Sequence, residues 1–146
     1  MGFEVKIKGK SEEINLKQEN ISTVKFTSDT PNDSNARASD LGVGIEIKGK
    51  ILTPVGGEEA DDTKKLGKWS LIPAESSDAY RTMNLKVIAG SVVVREIDFS
   101  NSFVVDYTED YNEKGGVGEY TLVIRQKKEK LTDVKFEGGY ASTDEQ

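Results

Sequence analysis

Serine, threonine, lysine and carboxylates are the side chains left for nucleophilic, acid–base or cation-binding chemistry, because the 146-residue chain contains no histidine and no cysteine. That removes thiol nucleophiles, Cys/His zinc sites, disulfide frameworks and every Ser–His or Cys–His pair. A Ser–Lys dyad stays open in principle, but no Gly-x-Ser-x-Gly elbow presents a serine. The run Glu58-Glu59-Ala60-Asp61-Asp62 offers the oxygens a hard cation takes. It reads more simply as a solvated loop entering a helix N-terminus, where acids suit the positive end of the dipole. Asp29, Asn32, Asp33, Asn35 and Asp40 lack the spacing of an EF-hand loop. Asp106, Glu109 and Asp110 mark the wet side and end of a strand rather than an acid pair for hydrolysis. Gly115-Gly116-Val117-Gly118 lies between two strand patterns and lacks the Lys-Ser/Thr ending of a phosphate loop, so it is a turn. Arg125, Lys127, Lys128 and Lys130, interrupted by Glu129, either face an acidic partner or solvate a strand end. Tyr107, Tyr111 and Tyr120 form either a sugar platform or cross-strand pairs, and alternation favours the pairs. The sequence thus predicts no catalytic residues, no metal and no cofactor.

Composition narrows the partners. Twenty Lys+Arg against 26 Asp+Glu give a formal charge of −6, which repels a phosphate backbone and argues against nucleic-acid binding. Hydrophobic residues are 35% and charged residues 32%, the balance of a soluble domain with a lean core. The longest apolar run is Val92-Val93-Val94, far short of a membrane span, and no membrane insertion is expected. The first ten residues, MGFEVKIKGK, alternate apolar and charged types and lack a signal-peptide core. Lys6 spoils a myristoylation signal at Gly2.

The elements that must position any surface follow a period of two. Phe3, Val5 and Ile7 alternate with charged residues, and Ile14 and Leu16 repeat the pattern after a turn. Residues 21–27 form a third strand through Val24 and Phe26. Val43, Ile45 and Ile47 begin a fourth. Met83, Leu85 and Val87 form the next, followed by a turn at Ala89-Gly90-Ser91 and a return over residues 92–99. A break at Ser100-Asn101-Ser102 precedes Phe103, Val105 and Tyr107. Tyr120, Leu122 and Ile124 follow the glycine turn, and residues 131–136 give a last short strand. One stretch departs from this rhythm. Residues 61–71 place Leu66 and Trp69 at helical spacing, with Asp61 or Asp62 as cap and Pro73 as stop. This predicts one short helix laid on a β core through Trp69. Residues 28–41 are polar and aperiodic, long for a connection in a compact domain. The expected fold is mainly β: a compact barrel or sandwich of about eight or nine strands with one flanking helix. One domain covers residues 1–140, and the chain after Gly138-Gly139 is expected to fray, leaving 141–146 as a flexible tail.

From residue 24 to residue 140 the order of features resembles a known family. Asp33-Ser34-Asn35-Ala36-Arg37-Ala38-Ser39 precedes a strand of the form Leu41-Gly42-Val43-Gly44-Ile45-Glu46-Ile47. The helix from Asp62-Thr63 to Trp69 follows, and Ile97-Asp98-Phe99-Ser100-Asn101-Ser102-Phe103-Val104-Val105-Asp106-Tyr107-Thr108-Glu109 then leads into Tyr120-Thr121-Leu122-Val123-Ile124. This series is similar to the haemolysin-coregulated, tube-forming proteins of type VI secretion, especially their Bacteroidetes-like branch. Ala36 and Ala38 stand where that branch favours Gly and Pro, and Gly138-Gly139-Tyr140 replaces a terminal Trp. These departures leave open a sister family, the tube proteins of phage tails, bacteriocins and prophage-like contractile particles.

The resemblance implies a non-enzymatic structural subunit whose copies close into a hexameric ring. Rings stack into a tube that a contracting sheath drives outward. It implies sheath, baseplate or spike, and effector cargo as partners, with assembly in the cytoplasm and delivery outside the cell. It also implies that the loop after the early strands reaches a neighbouring subunit. Here that loop supplies Thr30, Pro31, Asn32, Asp33, Asn35 and Arg37, with Arg37 the residue whose planar fork suits a carboxylate. The competing reading is a monomeric β-sandwich module that binds carbohydrate or protein.

Overall fold

The computed structural model describes residues 1–29, 42–52 and 61–142. Their alternating patterns form nine strands: β1 (Gly2–Lys8), β2 (Glu13–Leu16), β3 (Thr23–Asp29), β4 (Gly42–Ile51), β5 (Arg81–Ala89), β6 (Val92–Asp110), β7 (Gly118–Gln126), β8 (Lys135–Glu137) and β9 (Tyr140–Ala141). One helix, α1 (Thr63–Ser70), lies between β4 and β5. The strands build one antiparallel sheet in the order β2-β1-β5-β6-β7-β4-β3, with β8 and β9 added to β6. The sheet is not closed. It curls over instead, because Val5, Ile7, Ile14 and Leu16 from one end share a core with Val43, Ile45 and Ile47 from the other.

β6 makes that curl possible. It is 19 residues long and serves both halves, pairing with β5 near its start and with β7 near its end. Register shifts at Val87/Ile88, Arg81/Met83 and Val104/Asp106 each insert one extra residue on the β6 side. Bulges of this kind bend a strand and increase its twist. They also shift which residues face inward. Ile97 and Phe99 point into the core, as do Ser102, Val104 and Tyr107 further along. The expected break at residues 100–102 is therefore a bulge inside one continuous strand. Val105, expected to pack beside Phe103 and Tyr107, is the extra residue of the third bulge and is 51% exposed.

The two halves are also tied by the crossing between β2 and β3. Tyr120 is buried and donates its hydroxyl to the Asn20 carbonyl at 2.8 Å, while Asn20 Nδ2 donates to the Lys50 carbonyl. On the other flank the edge of β3 meets β8 through side chains, with Phe26 and Phe136 edge to face at 5.1 Å.

The C-terminal region differs from expectation. Residues Lys128–Asp133 form 3-10 turns, so Leu131 is not in a strand, and β8 begins at Lys135. Fraying does not begin after Gly139: Tyr140 and Ala141 pair with Val93 and Val92, and Ser142 N donates to the Ser91 carbonyl. Gly138 and Gly139 permit this turn onto β6. A Cβ at Gly138 would meet the Val94 carbonyl oxygen at 2.1 Å, and Gly139 has φ +81°.

Candidate assembly surface

Helix α1 buries Thr63, Leu66 and Trp69 along one stripe. Trp69 is 1% exposed, and its Nε1 donates to the Ala79 carbonyl at 3.0 Å. The Arg81 guanidinium lies 5.4 Å from the Trp69 ring centroid, donating to the Asp78 carboxylate at 2.8 Å and to Glu12 at 3.5 Å. A fully buried cation is costly unless paired, and Arg81, 2% exposed, is paired on two sides. Asp78 in turn accepts from Lys10 N. That hydrogen bond, together with the one from Arg81, holds its carboxyl below the usual carboxylate range.

The two described acids of the Glu58–Asp62 run are structural. Asp61 accepts from Asn20 Nδ2 and Leu52 N, both at 2.8 Å, and from the backbone N–H and hydroxyl of Thr63. Asp61, not Asp62, thus caps the helix. Asp62 accepts from Asn15 N at 2.8 Å, and Lys65 Nζ reaches the Glu13 carbonyl at 3.0 Å. These two contacts occupy outward backbone groups of β2. An edge strand is an open template for pairing with another chain, and α1 blunts this one.

The edges therefore differ. Among the described residues β3 pairs only with β4, and Thr23, Lys25, Thr27, Ser28 and Asp29 are exposed. Arg125 of β7 donates to Asp29 at 3.0 Å and crowds Gly42, where a Cβ would meet Nη2 at 2.1 Å. It braces both ends of the segment that joins β3 to β4. The contact residues expected in that segment, Thr30, Pro31, Asn32, Asp33, Asn35 and Arg37, lie outside the described residues. Sequence reasoning placed Arg125 in a general cationic cluster. Its bracing role depends on the β4–β7 register, which brings it opposite Gly44.

At the far end of the sheet, β6 and β7 extend as a hairpin. Residues 108–117 are exposed throughout. Its root is fixed by Tyr107 and Tyr111, which both donate to the Glu109 carboxylate at 2.6 Å. Burial and then the Glu109 hydrogen bond push the Tyr107 hydroxyl's pKa well above its usual value. Tyr107 also stacks on Tyr120 at 6.5 Å. The three tyrosines are brought together, but Tyr120 is buried and only Tyr111 is largely exposed, so they do not form a shared sugar platform. Among the described residues no group of His, Cys, Asp or Glu is placed to hold a metal ion, and no helix is long and apolar enough to cross a membrane.

No family model matches the sequence, and no curated protein matches it. Solved structures do match in fold. Hcp1 from Flavobacterium johnsoniae is 14% identical with a TM-score of 0.53, the match covering 96% of this chain and 99% of that one. A chain of the six-fold symmetrised anti-feeding prophage baseplate is 14% identical with a TM-score of 0.55, covering 94% of this chain and 93% of that one. A chain of the sheath–tube complex of PVC, an extracellular contractile injection system, is 11% identical with a TM-score of 0.50, covering 94% and 89%. The match over nearly the whole of both chains gives this chain the tail-tube fold of the haemolysin-coregulated proteins.

Proposed function

We propose that this chain is a non-enzymatic, self-assembling tube subunit of a contractile injection system, its copies closing into hexameric rings that stack. The observation that carries the reading is the match in fold over nearly the whole of both chains to proteins from such particles. The sequence agrees in that it presents no nucleophile elbow and neither histidine nor cysteine. The edges agree as well. With β2 blunted by α1 and β3 hydrogen-bonded, among the described residues, to β4 only, a head-to-tail contact joins unlike surfaces, and such contacts close into rings when the rotation permits.

On this reading Thr30, Pro31, Asn32, Asp33, Asn35 and Arg37 contact the neighbouring subunit, with Arg37 seeking a carboxylate. Sheath, baseplate or spike and effector cargo are the remaining partners, in a type VI-like or phage-tail-like particle. Assembly occurs in the cytoplasm and delivery outside the cell. Light scattering after size exclusion at rising concentration tests the ring. The expected species has six times the chain mass. A strict monomer at high concentration would overturn the reading and favour a binding module.

A further inference from the structure

We infer that the β6–β7 hairpin of one copy docks on the cationic end of β7 in a second copy, an end-to-end contact that rests on the tube-subunit reading. The two surfaces lie at opposite ends of the same strand. β7 has nine residues, which separates its ends by roughly 30 Å at strand rise.

The hairpin end is acidic. Residues 106–119 hold five carboxylates (Asp106, Glu109, Asp110, Glu113 and Glu119) against Lys114 alone. Asp110 and Glu119 face each other across the β6–β7 pair, with Lys50 of β4 opposite Glu119 on its other side. Among the described residues neither they nor Glu113 has a salt bridge within 4.0 Å. The same hairpin exposes Tyr111 (69%), Val105 (51%) and Val117 (39%), apolar area that the fold does not use. Its root is stiffened by the two tyrosine hydroxyls on Glu109 and rests against α1 at Gly67. A rigid arm loses little freedom on docking.

The other end of β7 runs into Lys127-Lys128-Glu129-Lys130, where three lysines surround one carboxylate. Lys127 Nζ sits 4.9 Å from the Tyr80 ring centroid, while residues 128–130 are exposed. An acidic, partly apolar arm at one end and a cationic shelf at the other complement each other between copies, not within one. Because the surfaces are unlike and opposed, the contact does not close on itself and each copy added presents a fresh acceptor. Opposite charges on the two surfaces also speed and orient the encounter.

Charge reversal tests this in the full-length chain. Asp110→Lys/Glu113→Lys and, separately, Lys128→Glu/Lys130→Glu are each expected to cut the assembled fraction about tenfold at low salt, with melting temperatures like the parent's. Combining all four substitutions restores complementarity with inverted sign and is expected to recover assembly. Raising salt toward about 0.5 M is expected to weaken parent assembly, since exposed charges are screened. Either reversed pair assembling like the parent, or a combined variant no better than the separate ones, would overturn the inference while leaving the ring reading in place. A parent chain that never assembles would overturn both.

Discussion

The α-carbon of Gly49 faces the carbonyl oxygen of Asn20 so closely that a Cβ built there would lie 1.7 Å from it. That carbonyl also accepts the Tyr120 hydroxyl, so Gly49 lets the β2–β3 crossing rest on the sheet and lets a buried tyrosine find its partner. Gly49→Ala must push the crossing away. The expected cost is at least the ~1–3 kcal/mol of an overpacked core, read as a lower denaturation midpoint. A midpoint equal to the parent's would mean that this junction is loose.

Trp69→Ala is expected to destabilise the chain by roughly 3–5 kcal/mol, the range for emptying a large buried aromatic site. Trp69→Phe keeps most of the volume but strands the Ala79 carbonyl, a loss of about 1–3 kcal/mol. Chemical denaturation separates the two, and equal losses would mean that the hydrogen bond to Ala79, not the volume, carries the effect.

Asp61→Ala removes one carboxylate that serves Asn20, Leu52 and Thr63. Several donors lose their acceptor together, so the loss should exceed the ~1 kcal/mol typical of a helix cap. Asp62→Ala, which removes one contact to Asn15 and a half-buried ion pair with Lys65, should cost less. The reverse ranking in urea titrations would contradict the assignment of Asp61 as the cap.

The lowered Asp78 carboxyl fixes a direction with pH. A carboxylate whose folded pKa lies below its unfolded value of 3.8 contributes stability above that value and loses it as pH falls through the folded pKa. The stability difference between the parent and Asp78→Asn should therefore be full near neutral pH and shrink below about 3.8. A difference that grows on acidification would reverse the sign.

Arg37→Glu probes the segment between β3 and β4. The expected result is loss of assembly with stability unchanged within about 0.5 kcal/mol, as for a surface substitution. Unaltered ring formation would move the subunit contact away from that segment.

Much of the fold was legible because one wet face writes itself as alternation. Val5, Ile7, Ile14, Leu16, Ile45, Ile47, Met83, Leu85, Leu122 and Ile124 are all buried where period two puts them. Leu66 and Trp69 likewise show the helical stripe. The bulges of β6 were hidden, because an inserted residue shifts the pattern without changing composition, and Val105 was assigned to the wrong face for that reason. β8 was expected four residues too early and β9 was hidden, because their side chains are exposed and hydrogen bonds to β6 leave no hydrophobic period. Asn20 and Ser102 are buried polar residues whose partners come from distant elements, so no local pattern marks them. The hairpin arm was present in the sequence only as an acidic strand end and a glycine turn. Its reach and its opposition to Lys127–Lys130 follow from the pairing of β6 with β7.

Electron microscopy of the purified chain at high concentration and low salt tests the central claim most directly. The account predicts six-fold rings and stacks of rings, with a uniform repeat along the stack. Particles the size of a single chain at every concentration, with no ring or stack in the field, would contradict it.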